Sequence, residues 1–125
     1  MSDPGGLLEQ VAGVPAEIAL VRRAATDHLG RCGCANAADA VLVLSELVTN
    51  AVLHAGGADR ITVDCRDGSI RIDVHDGATG PARVPDVAPE VGGRGLRIVE
   101  ALAERWGSDP LDAGKVVWAE LPCRR

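Results

Sequence analysis

The chain has 125 residues, a formal net charge of −5 at pH 7, no Phe or Tyr and two Trp. A chain of this length buries roughly two-thirds of the surface that its unfolded state exposes, so we expect a single domain over residues 1–125 with an aliphatic core. The acidic balance argues against direct nucleic-acid binding, because no basic stripe is present to neutralise phosphates. A small anionic ligand remains compatible with it, since backbone N–H groups can hold such a ligand whatever the net charge.

The sequence gives no sign of secretion or membrane insertion. It lacks an N-terminal basic segment followed by an apolar one, and no apolar run is long enough to span a bilayer. The four cysteines, Cys32, Cys34, Cys65 and Cys123, match no zinc-binding spacing. We therefore expect a cytoplasmic protein, without membrane contact, whose cysteines are small buried or half-buried thiols in a reducing environment.

The first part of the chain predicts a strand and a helix. Residues 1–6, "MSDPGG", have the composition of a disordered terminus, and residues 7–11, "LLEQV", form a short candidate strand. Pro15 suits the first turn of a helix that Gly30 and Gly33 end. The apolar residues that recur at helical spacing in this helix are Ile18, Val21, Ala25 and Leu29.

A second helix is predicted from a cap at Asn36 to about Ala55. One broad apolar face of this helix points toward the core. That face comprises Ala40, Val41, Leu44, Leu47, Val48, Ala51, Val52 and Ala55. Glu46, Asn50 and His54 lie outside it, and because they are four residues apart they project from one side of the helix. The apolar residues placed beside this row are Leu42, Val43 and Leu53.

The second half of the chain predicts a hairpin, a loop, a helix and a closing strand. Apolar and polar residues alternate on both sides of Asp67-Gly68, which is a strong hairpin signal. Residues 77–93 are rich in Pro and Gly and show neither the helical nor the strand periodicity of apolar residues. A loop of this length in so small a domain is more often a functional lid than a linker. The helix that follows has Leu96, Val99, Leu102 or Ala103, and Trp106 at helical spacing.

The closing strand is residues 115–121, "KVVWAEL", after the turn residues Asp112 and Gly114. Strands and helices in this order do not alternate as βαβ units, so a doubly wound parallel sheet is not expected. The predicted fold class is α+β, a two-layer sandwich in which the helices pack on one face of a mostly antiparallel sheet.

Three short segments carry polar groups suited to ligand binding. The polar row on the second helix has no structural purpose that Lys, Arg or Ala would not serve. Asp76 ends the second hairpin strand, where its carboxylate can accept a hydrogen bond from a ligand amine, worth roughly 1.5–3 kcal/mol. Residues 91–96, "VGGRGL", place glycines and Arg94 before a helix, where N–H groups and the helix dipole can hold an oxyanion. Taken alone, each segment also fits a solvated helix face, a turn or a flexible loop.

The three histidines predict no catalytic or metal site by themselves. His28 is expected on the surface of the first helix and His75 on the outward side of its strand, while His54 is placed near the polar row. These positions form neither a Ser/His/Asp arrangement nor a histidine-based metal site.

In their order along the chain, the three segments closely resemble the GHKL ATP-binding fold, and within it the short anti-sigma-factor serine kinases and their small bacterial relatives. "LSELVTNAVLHAGG" is similar to the N box of that group, "VHDGATG" to its first glycine box and "GGRGLRIVEALAERWG" to its second. The ending "GKVVWAEL" is similar as well, so the resemblance covers nearly the whole chain.

The resemblance implies ATP and Mg²⁺ as cofactors and a role for each polar position. Asn50 would be the Mg²⁺ ligand, and Glu46, one turn earlier, the general base that acts on an attacking serine or water hydroxyl. Asp76 would accept the adenine amino group, and residues 77–93 would form the ATP lid. The other residues expected at the nucleotide are His54, Gly80, Gly93, Arg94, Gly95 and Leu96.

Two positions depart from the pattern of that group. The first glycine box usually has a second glycine two residues after the aspartate, where this chain has Ala78, whose methyl group can hinder approach to the base. Many relatives have a Thr after the glycine that precedes the last strand, and here Lys115 follows Gly114. Both departures predict weaker or altered nucleotide binding.

By resemblance, the protein is an ATP-binding anti-sigma factor that phosphorylates a serine of its antagonist, with a sigma factor as second partner and a homodimer as its assembly. The alternative is a non-catalytic module that binds nucleotide, or none, and regulates a partner by binding alone; Ala78 and Lys115 favour it, and Glu46 favours the enzyme. A detached ATP-binding domain of a two-component histidine kinase fits less well, because 125 residues leave no room for a dimerising helix pair. A plain scaffold leaves the order of the three boxes unexplained.

Overall fold

Residues 7–12, 15–77 and 94–125 are described by the structure, a computed structural model. Within these ranges the elements are β1 (Leu7–Ala12), α1 (Pro15–Arg31), α2 (Ala37–Ala55), β2 (Ala58–Arg66), β3 (Ser69–Asp76), α3 (Arg94–Leu102), β4 (Arg105–Leu111) and β5 (Gly114–Pro122). The five strands form one sheet in the order β1-β2-β3-β5-β4, and every neighbouring pair is antiparallel. The predicted α+β class, with an antiparallel sheet and helices on one side, is confirmed.

The sheet has one face covered by the helices and one that carries charged side chains. Burial alternates along β3, because successive side chains of a strand point to opposite faces. Ile72 and Val74 point toward α2, whereas Arg71 and Asp73 lie half-buried on the other face. Helix α2 also packs against α1 and α3, so it is the central helix of the second layer.

The core is aliphatic, as the composition predicted. Trp106 is half-buried and packs against its edge. The largest fully buried side chains are Leu29, Leu44, Leu47, Ile61, Ile70, Ile72, Leu121, Val43, Val48, Val63, Val74 and Val99. Val43 was placed outside the core face, beside the polar row, and the first part of that placement is wrong because Val43 is fully buried. Leu42 and Leu53, which were placed with it, are exposed.

The first strand, the first two helices and the hairpin lie where the sequence predicted them. Asn36 precedes α2, and Gly56 ends it with a left-handed φ of 77°. The hairpin turn has positive φ at Asp67 and at Gly68, the conformation that suits the right-handed twist of the two strands. The predictions for residues 1–6 and for the lid beyond residue 77 lie outside the described residues.

The prediction of one helix through Trp106 is wrong. Helix α3 ends at Leu102, and Trp106 belongs to β4, where it lies opposite Ala119 of β5. The backbone N–H of Glu104 donates to the carbonyl of Glu120 at 2.8 Å, so the chain joins the sheet directly after the helix. The closing strand was predicted, but its hairpin partner β4 was not.

Helix α2 is long and apolar enough, by length and composition only, to cross a membrane. The expectation that no segment would meet these criteria is therefore not met. Seven of its side chains are buried inside the fold: Ala40, Val41, Val43, Leu44, Leu47, Val48 and Ala51. The core helix of a globular domain has this composition for the same reason that a membrane helix has it, since both exclude water from apolar side chains.

The C-terminus is tied to the start of α2. The Asn36 side chain does not cap the helix; its amide nitrogen donates to the carbonyl of Pro122 at 2.7 Å, and its oxygen accepts from the backbone N–H of Arg124 at 2.9 Å. A disulfide joins Cys34 to Cys123 in the same region. The expectation that all four cysteines would be thiols is therefore wrong for these two, which the fold brings together across 89 residues of sequence.

Candidate functional site

Helix α2 carries the polar row that the sequence singled out. Glu46 and Asn50 are half-buried and His54 is exposed. The row lies beside the buried face of α2 rather than opposite to it, so the first two side chains stand at the margin between core and solvent. A carboxylate and an amide in this position keep access to a ligand while their backbone is fixed by the core packing of the helix.

The carboxylate of Asp76 is buried at the end of β3 and forms an ion pair. Asp76 is 2% exposed and Lys115, the residue opposite it on β5, is 5% exposed. The ammonium nitrogen of Lys115 donates to Oδ1 of Asp76 at 3.1 Å. Removal of two charges from water is costly unless they are paired, and this geometry provides the pairing.

The two strands approach each other closely at this ion pair because Gly114 has no side chain. A Cβ at Gly114 would lie 2.0 Å from the carbonyl oxygen of Asp76, and its φ of +122° is in the region that side chains disfavour. Gly114 therefore holds the start of β5 against the end of β3, which brings Lys115 within hydrogen-bond distance of Asp76.

The ion pair is compatible with a bound adenine. An ionised carboxylate accepts about four hydrogen bonds and an ammonium group donates three, so each group retains capacity beyond their mutual bond. An acceptor beside a donor matches a base edge that presents an amino group next to a ring nitrogen. Asp76 would accept a hydrogen bond from the amino group, and Lys115 would donate one to the ring nitrogen. Lys115 occupies the position at which many relatives of the GHKL group have a Thr.

The donor set on α2 fits a magnesium–phosphate group. Mg²⁺ binds through one or two protein oxygens and keeps several waters and phosphate oxygens as its other ligands. The side-chain oxygen of Asn50 is such a donor, half-buried and one helical turn from the carboxylate of Glu46. The chemistry of these two residues therefore agrees with the roles predicted for them.

The phosphate-binding segment is described only in part. Arg94 and Gly95 form the first turn of α3, and Leu96 is buried in the core at 4% exposure. Leu96 thus anchors the start of the helix, and a contact with nucleotide would come from its backbone. Gly80, Gly93 and Ala78 lie outside the described residues, as does most of the predicted lid over residues 77–93.

Lys115 is the residue whose place the sequence reasoning missed. The sequence identified it as a departure from a family pattern and gave it no contact. Two signals were available: a lysine directly after a strand-opening glycine, and the antiparallel pairing that sets the start of β5 opposite the end of β3. Register between two strands separated by a loop and a helix is fixed by tertiary packing, so neither signal was sufficient.

The histidine predictions are confirmed for one residue and wrong for another. His75 lies on the outward-facing side of β3 and is half-buried. His28 was expected on the surface, but it is 6% exposed, and its ring lies close to the thiols of Cys32 and Cys65. His28 therefore belongs to a buried group of potential metal ligands with two cysteines, a grouping that the sequence analysis did not consider. Val21, Ala25, His28 and Cys32 follow helical steps of four, three and four, a signal that would have placed His28 inside.

Comparison with known proteins places this geometry in a family. The sequence profile of the histidine kinase-like ATPase domain matches residues 11–121, most of the chain and every element after β1. No curated protein sequence matches the chain.

Proposed function

The chain belongs to the histidine kinase-like ATPase family, part of the GHKL superfamily, and on that premise we propose that it is an ATP-dependent serine kinase that acts as an anti-sigma factor. Its ligands are ATP and Mg²⁺, and its phosphoryl acceptor is a serine of an antagonist protein. A sigma factor is its second partner, the cytoplasm its compartment and a homodimer its assembly. The family membership supports ATP binding, and the resemblance of the three boxes supports the finer assignment.

The pairing of Glu46 with Asn50 carries this proposal. A module that only binds nucleotide needs the Mg²⁺ ligand but has no use for a carboxylate one turn before it. Both side chains are half-buried on a helix whose adjacent face is packed in the core, so the positions of their backbones are fixed. Rigid placement of a base and a metal ligand is the main requirement of phosphoryl transfer, which depends on positioning and electrostatics.

Each polar residue of the site has its own role in the proposed reaction. Asp76 and Lys115 would orient the adenine from the end of the sheet, and the amide oxygen of Asn50 would hold the metal ion that accompanies the phosphates. The carboxylate of Glu46 would accept the proton of the serine hydroxyl; as the serine oxygen bonds to the γ-phosphorus, the bond from that phosphorus to ADP breaks and ADP leaves. ATP·Mg²⁺, when bound, supplies an activated phosphoryl group whose charge the metal neutralises.

The first experiment is a calorimetric titration of ATP into the purified chain, with and without Mg²⁺, on the wild type and on Asn50→Ala. We expect binding that depends on Mg²⁺ and a large loss of that dependence in Asn50→Ala. Leu20→Ala is the control, because Leu20 is exposed and belongs to α1 rather than to the helix that carries the polar row. Equal Mg²⁺ dependence in Asn50→Ala and in the wild type would contradict the role of Asn50.

Transfer is tested with radiolabelled ATP and a panel of purified antagonist proteins that carry an acceptor serine. Glu46→Gln keeps the size of the side chain and removes its basicity, so we expect ATP binding to remain and transfer to fall roughly 100-fold or more. Wild-type rates in Glu46→Gln would contradict the proposed base. Nucleotide binding without transfer to any antagonist would favour the alternative function below.

A regulatory module without catalysis is the second candidate, and the ion pair of Lys115 with Asp76 favours it. A carboxylate already bonded to an ammonium group at 3.1 Å gains less from a base amino group than a carboxylate that receives only water. In this case the protein would regulate its partner by contact alone. The transfer assay separates the two candidates, since the second predicts no phosphoryl transfer whether or not ATP binds.

A further inference from the structure

The end of the molecule that holds the cysteines contains a buried cluster of one imidazole and two thiols. His28 lies in the last turn of α1, Cys32 follows α1 directly, and Cys65 lies in β2. All three are buried, and their potential ligand atoms lie within 4.8 Å of one another. Cys32 and Cys65 carry free thiols, whereas the other two cysteines of the chain are joined in a disulfide.

We propose that His28, Cys32 and Cys65 form a binding site for a thiophilic d¹⁰ cation, with Zn²⁺ as its natural occupant. Thiolate sulfur and imidazole nitrogen are the ligands that zinc prefers, and three protein ligands with a fourth position for water or another donor is an established arrangement for this ion. Neither the family membership nor the nucleotide site makes use of these residues.

The distance between His28 and Cys32 agrees with this assignment. A tetrahedral zinc ion with bonds of about 2.3 Å to sulfur and about 2.0 Å to nitrogen separates the two ligand atoms by about 3.5 Å. Nε2 of His28 lies 3.9 Å from the sulfur of Cys32. The two residues are four positions apart on one helical stretch, so a contraction of a few tenths of an ångström needs only small side-chain rotations.

Charge balance favours Zn²⁺ over Cu⁺ in this position. Cys32 and Cys65 belong to the hydrophobic core, where a net charge is costly. The charged groups near them are of opposite sign: Asp64 acts on Cys65, and the guanidinium of Arg125 donates to the carbonyl of Cys32 at 3.0 Å. Two thiolates, a neutral imidazole and Zn²⁺ sum to zero, whereas the same ligands around Cu⁺ leave one negative charge. Binding of Zn²⁺ displaces one proton from each thiol to solvent, which balances the reaction without any oxidant or reductant.

The Cys65 thiol is held in its protonated form in the metal-free protein. Burial and the hydrogen bond to Cys32 raise the pKa of the Cys65 thiol to about 12, well above its usual range. Thiolates form here when a cation replaces the protons, so zinc affinity is expected to rise with pH. Proton release therefore becomes a direct signal of binding.

The proposed metal site is distinct from the nucleotide site. Cys65 lies opposite Ile70 in the sheet, and Asp76 follows six residues later along β3, which places the two sites about 20 Å apart. Loss of zinc and loss of ATP binding can therefore be measured independently in one preparation.

The test uses the full chain without a histidine tag, with its disulfide intact, under argon and without thiol reductants. After metal removal with a chelator, Zn²⁺ is titrated by calorimetry in two buffers that differ in ionisation enthalpy. We expect one Zn²⁺ per chain and the release of close to two protons. Co²⁺ in place of Zn²⁺ is expected to give tetrahedral absorption bands and a thiolate-to-cobalt charge-transfer band.

The variants are Cys65→Ala and His28→Gln, with His75→Gln as the matched control for loss of a histidine. Loss of one ligand should weaken zinc binding by about 100-fold or more, given that loss of a residue that merely supports a ligand costs about 10–100-fold. His75 lies on the other face of the sheet, so its variant should bind as the wild type does. Circular dichroism identifies any variant that fails to fold.

A second measurement needs no variant. Zn²⁺ should protect both free thiols of the wild type from alkylation. Absence of zinc binding by the folded wild type at micromolar concentrations overturns the proposal. Zinc binding that leaves both thiols as reactive as before, or that His75→Gln weakens as much as His28→Gln, overturns it as well.

Discussion

Polar groups are buried at both ends of the central sheet, as a charged pair at one end and as groups that can be neutral at the other. At one end, Asp76 and Lys115 carry full charges that compensate each other at 3.1 Å. At the other end, His28, Cys32 and Cys65 are polar groups that can all be neutral, and they lie beside a disulfide. The charged end depends on its pair for stability, whereas the three groups at the cysteine end can be buried without carrying charge.

This difference indicates how each end can respond to a ligand. A charged pair already has its electrostatic partner, so a base adds hydrogen bonds to an existing arrangement and changes the charge of the site little. A neutral cluster of thiols gains a cation and loses protons, so its occupancy depends on pH and on the metal supply. The charged end is suited to recognition, and the cysteine end to a tightly held structural ion.

The largest expected effect is at the charged end. Lys115→Met keeps the apolar stem and removes the ammonium partner of the buried carboxylate, so we expect a loss of about 3–5 kcal/mol in the free energy of unfolding. Urea unfolding followed by circular dichroism measures it. The double variant Lys115→Met with Asp76→Asn should recover a substantial part of the loss, because no buried charge then remains in the pair. A loss below about 1 kcal/mol in Lys115→Met would show that the carboxylate does not need this partner.

The next effect concerns the disulfide. Replacement of Cys34 and Cys123 by Ala removes a cross-link over 89 residues of sequence separation, and we expect a loss of about 2–4 kcal/mol, chiefly because the unfolded chain gains entropy. Guanidinium unfolding in the presence of a chelator measures the effect of the disulfide alone. Cys32→Ala under the same conditions should cost less, since it removes a small buried side chain and no cross-link. Equal losses in the two variants would assign the stability of this end to packing.

The smallest expected loss of stability is for a substitution on the outer face of the sheet. The ion pairs there are more accessible to solvent than the buried pair of Asp76 and Lys115, so they serve as a comparison for it. Glu120 accepts hydrogen bonds from Arg71 at 3.0 Å and from Arg105, and the bond from Arg71 holds the pKa of its carboxyl below the usual range. Glu120→Gln should therefore lower stability by about 1 kcal/mol or less at pH 7.

The pH dependence of that variant follows from the direction of the pKa shift. A carboxyl whose pKa is lower in the folded state stabilises the protein above its unfolded pKa, and this contribution is lost as the pH falls through the lowered value. The difference between wild type and Glu120→Gln should thus be constant near neutral pH and shrink in acid. Thermal melts from pH 7 to pH 3 measure it, and a difference that grows in acid would contradict the assignment.

Local patterns were sufficient for most elements of this fold. The apolar periodicity of α2, the Asp67-Gly68 turn and the alternation along β2 and β3 are properties of short segments, and the structure agrees with each. The failures arose where a long-range contact decided the outcome. Trp106 continued a helical period, but pairing with Ala119 placed it in β4.

The same distinction between local patterns and long-range contacts applies to the candidate site. The sequence by itself determined that Glu46 and Asn50 share one side of α2 and that Asp76 ends a strand, because helical and strand periodicity are local. Only the tertiary structure set Lys115 opposite Asp76 and brought Cys32 to Cys65 and Cys34 to Cys123. These contacts join residues far apart in the chain. Their partners are chosen by strand register and by helix packing, which depend on the whole core at once.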